Sequence, residues 1–587
     1  MKFDEALKRT KPLGRTQFIV TFFGCAVSVV SSWINLSNVF IAELSIYHCS
    51  ASPWGSLSET IPLELGDNNE TTYSHCEQFM IPQDQKNTST EWETETCKNG
   101  WDYDTDLFGK SIVSEFDLVC DKSALPDLDQ SLVVAGLGVG AIIAGPIADY
   151  WGRRPTFMTS LVIFNLIGLS ISFSINYVMF AVLRFLLAVV HVGFWLPSVI
   201  VIFEYLTPKH RSNIGNWPPI FFTLGLIVLS AMAYFIRDWR WFHASLMVPT
   251  LVAVPFMWLF PESVRWLLSV QNYSKAEEVM QQVARRNKAD DIPEKFFDDI
   301  KEQSIADNLK SETNSLGFLD LFKPPILTVT LVLGSMWFSF FLVYFGFALS
   351  TRSLAGDPYL NFFISSLFEL PARIIPLWLL SRSGSVIPCS IAFALGSLMM
   401  VGMLILEAGT IGFTVCALFG RFFITFNFSP ILLLTSDLFP TTIRNAGTGM
   451  VQLIGRFGSI LSPFLLYLDE RYPSLAFSFM AFVAGLTAFL TFLLPETLGT
   501  VQPTTREDLQ ELFRNRRIIT FRNGCRLPRG TTKSRSNTSE VIAPSSISRD
   551  IATANENIDP EKLNNSDVSK QSAKLGTENY AFETTQL

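Results

Sequence analysis

Ionisable residues are scarce in this chain: Asp, Glu, Lys and Arg make up 17% of its 587 residues, and only five histidines occur. An average soluble domain carries about 25% charged residues, so much of this chain is not built to face water. The scarcity also excludes activities. No glycine-rich loop followed by lysine is present to cradle a phosphate, and no His and Cys set has zinc spacing. An enzyme is therefore not expected, and neither a cofactor nor a metal is required. The formal net charge of −8 leaves no basic excess for nucleic acid.

Apolar residues fill the gap. They make up 49% of the chain, including 51 Phe, and the mean hydropathy is +0.30. Spans of roughly 17–25 mainly apolar residues cross a bilayer as helices. Such runs lie near 18–40, 128–148, 156–176, 178–202, 216–236, 243–260, 326–348, 359–380, 386–406, 410–434, 447–468 and 473–494. The expectation is an all-α membrane protein with twelve transmembrane helices in two six-helix bundles. Residues 18–260 hold the first bundle, 261–325 a central loop, 326–497 the second bundle and 498–587 a disordered tail.

Basic residues set the orientation. Residues 1–17 carry Lys2, Lys8, Arg9, Lys11 and Arg15, and later links on the same side carry Arg153, Arg154, Lys209, Arg211 and Arg444. By the positive-inside rule these segments are cytoplasmic, as are both termini, and no cleavable signal is evident. The loop 41–127 is acidic and lies outside. Four of the eight cysteines, Cys49, Cys76, Cys97 and Cys120, fall in it, which permits two disulfides among three connectivities. The same loop holds glycosylation acceptors at Asn69 and Asn87.

Three features recur at nearly one period. Arg184 returns as Arg421 (421 − 184 = 237), Glu204 and Arg211 return as Asp437 and Arg444 (437 − 204 = 233), and Pro261-Glu262 returns as Pro495-Glu496 (495 − 261 = 234). A duplicated six-helix unit is the arrangement of a carrier that rocks about a central site. In the first half Gly136, Gly138 and Gly140 lie inside a span without a preceding strand, so they read as helix-packing residues.

Gly145-Pro-Ile-Ala-Asp149-Tyr-Trp-Gly152-Arg153-Arg154 follows the second span, where an edge aspartate can stabilise a helix N-terminus. This segment resembles the signature of the major facilitator superfamily. The cysteine-bearing loop, Pro261-Glu262-Ser263, Asp437-Leu-Phe-Pro440 and Pro495-Glu496-Thr497 together resemble the organic cation, anion and carnitine transporter family, solute carrier family twenty-two. The resemblance covers residues 1 to about 500. It implies alternating access and a gating role for Asp149, Gly152, Arg153, Arg154, Glu204, Arg211, Asp437 and Arg444. Departures are Tyr150 after the motif aspartate, Asp437 in place of glutamate, and Ser381-Arg-Ser-Gly-Ser385, which lacks the second Gly-Arg-Arg.

Two arginines stand inside apolar runs: Arg456 within 450–468 and Arg373 one turn after Glu369. A guanidinium at membrane depth costs at least about 3 kcal/mol unless it meets water, a counter-ion or a ligand. In the resembled family, the position of Arg456 tracks substrate charge, and the acid, Leu-Pro-Ala and base pattern at Glu369 to Arg373 is that of anion carriers. Arg456 and Arg373 could then grip one anion. In the other arrangement Glu369 and Arg373 pair at i and i+4, leaving Arg456 to a zwitterion. The resemblance further places Trp195, Trp337 and Tyr344 in a central cavity, where flat rings hold organic bodies.

The expected function is secondary transport of small organic ions at the plasma membrane, leaning to anions, with a coupling or exchange ion. A carnitine-like zwitterion or cation carrier is the alternative, and a non-transporting receptor or scaffold a more distant one. The chain ends Thr585-Gln586-Leu587, which resembles a PDZ-domain ligand.

Overall fold

The computed structural model describes residues 7, 9–43, 46–51, 60–65, 71–79, 94–104, 109–207, 210, 214–215, 217–289, 318–354, 356–440, 443–498, 500, 502–503 and 506–514. Asn69, Asn87, Arg211, Thr585 and Leu587 lie outside these residues, as does the chain beyond 514.

Eleven helices among the described residues are long and apolar enough to cross a membrane. With one shorter apolar helix they make twelve, in the order expected. The first six are α1 Arg15–Leu36, prolonged by Asn38–Ile41, α2 Leu125–Trp151, α3 Arg153–Ile171, α4 Tyr177–Tyr205, α5 Trp217–Phe235 and α6 Trp239–Ala253. The second six are α7 Ile326–Leu349, α8 Pro358–Ser383, α9 Val386–Ile405, α10 Ile411–Phe426 continued as Phe428–Leu438, α11 Arg444–Arg471 and α12 Leu475–Thr491. Local chemistry fixes several starts. Asp357 accepts from the Tyr359 and Leu360 amides with Pro358 in the first turn, and Asp238 caps α6 in the same way. α6 tightens into a 3-10 turn over Val254–Leu259, where Pro255 cannot donate to the helix ladder. α11 runs past its apolar core to an arginine at each end, since backbone hydrogen bonding does not stop where hydropathy does.

Packing repeats between the halves. α1 packs on α5 as α7 does on α11, α2 on α4 as α8 on α10, and α3 on α6 and α4 as α9 on α12 and α10. The two bundles meet along α2 with α11 and α5 with α8, pairs that exchange under a shift of six helices. Gly136 and Gly140 bring α2 onto α4, where an added Cβ would lie 2.6 Å from the Phe185 carbonyl oxygen and 2.5 Å from that of Val189.

The loop between α1 and α2 holds secondary structure that hydropathy did not announce. β1 Tyr47–Cys49 pairs antiparallel with β6 Trp101–Tyr103, β2 Leu63–Leu65 with β3 Thr71–Tyr73, and β4 Glu77–Phe79 with β5 Thr94–Thr96. Cys49 is bonded to Cys97 and Cys76 to Cys120, which selects one of the three connectivities. A helix over Ile112–Phe116 pins this loop to α6. Glu115 accepts from Arg240 Nη2 at 2.6 Å and from the Trp239 indole at 2.6 Å, and Arg240 also donates to the carbonyls of Ser172 and Ser174.

At the opposite end, Asn287 closes the helix Tyr273–Arg286, within the stretch where short helices were expected. Its side chain donates to the Thr10 carbonyl and Gln17 and accepts from the Thr16 amide, clasping the start of α1. The segment after 498, expected to be disordered, instead forms the helix Arg506–Arg514. Leu509 is fully buried, Leu512 and Phe513 pack against the core, and Arg506 Nε donates to the Pro324 carbonyl at 2.8 Å. An apolar stripe within a polar sequence is the amphipathic signal that composition averaged away.

Candidate functional site

Arg456 owes its position to its neighbours. An added Cβ on Gly455 would lie 2.7 Å from Phe341 Cδ2, and one on Gly458 2.4 Å from the Phe338 carbonyl oxygen. Two missing side chains thus let α11 lie directly on α7, and they deliver Arg456 to the Phe341 ring, 5.0 Å from Cζ to centroid. Arg456 is half-buried within the bundles. His191 of α4, in the other bundle, is within its electrostatic reach, and both His191 ring nitrogens are buried without a hydrogen-bond partner.

From Arg456 a run of rings leads to the second arginine. Phe341 stacks on Trp337 at 5.5 Å, Trp337 meets Phe428 edge-on at 5.9 Å, and Arg373 Cζ stands 4.7 Å above Phe428. Arg373 is 5% exposed, and its Nε and Nη1 have no hydrogen-bond partner. Cation–π contact contributes about 0.5–2 kcal/mol, which is less than the several kcal/mol of desolvating a buried ion. The rings therefore orient the two guanidinium groups without neutralising them.

Glu369 does not pair with Arg373. Its Oε1 accepts from Arg421 Nε at 2.5 Å, both side chains being almost wholly buried. Its Oε2 receives Tyr344 Oη at 3.4 Å and, from the other bundle, Thr223 Oγ1 at 3.4 Å. The i and i+4 spacing puts Glu369 and Arg373 on one side of α8, but α10 supplies a closer cation. Pro371 lies between them in the same helix, with Pro376 beyond. In the first bundle Arg184, the repeat partner of Arg421, pairs with Asp129 at 3.3 Å and donates to Ser37 Oγ at 3.0 Å. Among the described residues, Arg373 and Arg456 have no carboxylate within ion-pair distance.

Of the expected aromatic residues, Trp195 is half-buried on α4. Trp337 is 1% exposed, and its indole donates to Thr435 Oγ1 at 3.1 Å. Tyr344 is buried against Glu369. Phe428, Thr223 and Asp129 were not singled out from the sequence. Asp129 could have been, as an acid at the edge of the second apolar run, whereas one phenylalanine among 51 carries no signal.

At the end of α2, Asp149 pairs with Arg153 at 2.8 Å, and its side chain remains 71% exposed. The helix N-terminus it was expected to stabilise is capped instead by Glu262, which accepts from the Arg153 and Arg154 amides at 2.8 and 3.2 Å. Gly152 has φ +103°, a conformation that turns those amides toward Glu262. Glu204 sits beside Ser263, Arg153 and Arg265. The second half preserves the device: Gly384 has φ +78°, and Glu496 accepts from the Ser385 and Val386 amides at 3.0 Å. The segment Ser381 to Ser385 thus lacks the arginine pair after its glycine but keeps the turn and its cap. Asp437 and Arg444 are joined through Gln502, which donates to Asp437 and accepts from Arg444, each at 3.1 Å.

Residues 83–505 match the family model described as "Sugar (and other) transporter". Solute carrier family 22 member 6 of Danio rerio is 29% identical over 551 residues, covering 90% of this chain and 97% of that protein. Organic cation/carnitine transporter 2 of Homo sapiens is 29% identical over 527 residues, covering 86% and 94%. The inward open conformation of the xylose transporter XylE from E. coli superposes with a TM-score of 0.54 at 16% identity, over 87% of this chain and all of that one, a likeness of fold alone. The chain belongs to the sugar and other transporter family of the major facilitator superfamily, and it is a multi-pass membrane transporter similar over nearly its whole length to members of solute carrier family 22.

Proposed function

We propose that this carrier moves small organic anions across the plasma membrane by alternating access, with both chain ends cytoplasmic and the disulfide-bonded loop outside. The observation that carries the reading is the balance of charge between the bundles. Glu369 is held by Arg421 and Asp129 by Arg184, while Arg373 and Arg456 stand at the two ends of an aromatic run with no carboxylate among the described residues at ion-pair distance. An organic anion with a flat body fits both parts, its charge on a guanidinium fork and its rings along Phe341, Trp337 and Phe428. A cation would need an unoccupied carboxylate facing the same space, and Glu369 is engaged three ways. Asp149, Gly152, Arg153, Arg154, Glu204, Arg211, Asp437 and Arg444 act on this reading at the gate. The ending at Thr585 and Leu587 is proposed as a PDZ ligand.

Uptake by full-length protein at the cell surface tests the reading. An aromatic carboxylate, a quaternary ammonium and labelled carnitine are compared with and without a sodium gradient. Arg456→Asp is expected to abolish uptake of the carboxylate while leaving surface expression intact. A charge-assisted hydrogen bond contributes about 1.5–3 kcal/mol, so Arg373→Gln is expected to raise KM about tenfold or more. Carboxylate uptake unchanged in Arg456→Asp, or uptake of the ammonium alone, overturns the assignment.

A further inference from the structure

The two acid–arginine pairs occupy equivalent places in the repeat, α2 with α4 and α8 with α10, but they are not equally satisfied. Glu369 is hydrogen-bonded to Arg421, Tyr344 and Thr223. Asp129 is 0% exposed, and neither of its carboxylate oxygens has a hydrogen-bond partner; Arg184 Nη2, 3.3 Å away, also lacks one. A buried carboxylate that receives no hydrogen bond is held in its charged form by the nearby cation alone. It is the member of the two pairs that can shed its charge by taking up a proton.

We propose that Asp129 is a proton-binding site of this carrier. One proton from water adds to a carboxylate oxygen, the Asp129–Arg184 pair is released, and Arg184 keeps its charge and its bond to Ser37. The site therefore passes from neutral to one positive charge. A metal cation is disfavoured by a guanidinium at 3.3 Å. The titratable groups facing the site are few. α4 supplies Arg184 and Tyr177, both in electrostatic reach of Asp129, and α6 supplies His243, in reach of Arg184. α1 presents Ser37, Asn35 and Asn38, and α11 presents the Ile460 carbonyl.

Position gives the proton something to do. Asp129 lies one turn inside the start of α2, within the stretch that ties this helix to its neighbours. Asn38 donates to the Pro126 carbonyl, Gln130 to the Asn35 carbonyl and Tyr177 to the Leu125 carbonyl. Ser131 donates across the seam to the Ile460 carbonyl of α11 at 3.2 Å. The charge state of Asp129 thus acts where α2 meets the opposite bundle, and its proton is read out as a change in the contact that closes this end of the carrier.

The proposal stands apart from the sign of the substrate, and its first test uses none. Infrared difference spectra of the purified full-length protein in nanodiscs are recorded from about pH 5 to about pH 9, since buried carboxyls titrate up to about pH 9. A protonated-carboxyl band that grows as pH falls is expected in the wild type and in Arg373→Gln. It is expected to be missing from Asp129→Asn and moved in frequency in Asp129→Glu, which keeps a carboxyl should the amide fail to fold. Identical difference spectra for wild type and both Asp129 variants overturn the proposal. The second test is uptake of benzenesulfonate, whose charge is fixed over this range. Its dependence on external pH is expected to disappear in Asp129→Asn, and a dependence unchanged in a correctly folded Asp129→Asn overturns the coupling.

Discussion

Arg421→Leu leaves Glu369 as an uncompensated carboxylate in the core. Breaking a buried pair from one side costs about 3–5 kcal/mol, so a large fall in thermal midpoint is expected in detergent micelles. Glu369→Leu combined with Arg421→Leu is expected to recover most of it, and a double variant no better than the single would deny that the two charges balance each other. What the sequence disclosed at this scale follows from cost. Ionisable residues in apolar runs are conspicuous, so Arg456, Arg373 and Glu369 could be read directly. Their partners could not, because the choice between Arg373 and Arg421 depends on how α8 and α10 face each other. Phe428 and Thr223 were invisible for the opposite reason, being ordinary residues made important only by what they touch.

Helix contacts carry the next level. Gly458 holds α11 against the Phe338 carbonyl, and overpacking such a contact costs about 1–3 kcal/mol. Gly458→Leu is expected to reduce uptake sharply with Arg456 still in place, measured beside surface expression. Outside the membrane, burial pushes the Glu115 carboxyl up, but hydrogen bonds from Arg240 and Trp239 and the charges of Arg240 and Lys110 outweigh it and hold the group below its ordinary value. A lowered carboxylate contributes stability above its unfolded value, and that stability is lost as pH falls through the folded one. The protection of amides 112–116, exchange compared with its intrinsic rate at each pH, is therefore expected to fall on strong acidification and to be unchanged between neutral and mildly alkaline pH. Glu115→Gln is expected to remove the acid response. Element positions were legible because hydropathy and length decide them. The strands of the loop were not, since each is three residues long and is organised by disulfides and turns.

For the whole molecule, the repeat announced the architecture before any contact was known. Arg184 and Arg421, Glu262 and Glu496, and the glycines 152 and 384 all take matching roles, although Ser385 and Val386 follow Gly384 where Arg153 and Arg154 follow Gly152. The α2 and α11 contact supplies a test of rocking. Cysteines replacing Ser131 and Ile460, bridged by a short thiol cross-linker, are expected to arrest uptake until reduced. Either single cysteine, with Cys25, Cys389, Cys416 and Cys525 present in all, is expected to leave uptake intact. Uptake that persists through the cross-link would mean that the seam does not open at this end.

Pro371 stands between Glu369, which bonds across the seam to Thr223, and Arg373, the residue proposed to meet the ligand. A proline removes one rung of the helix ladder and weakens the turn around it, so α8, though helical from Pro358 to Ser383, bends more easily near this point. A pull on Arg373 is therefore expected to bend α8 here before it disturbs the contact of Glu369 with Thr223 across the seam. On that expectation the helix would act as a mechanical threshold, separating contact with a ligand from commitment to moving it.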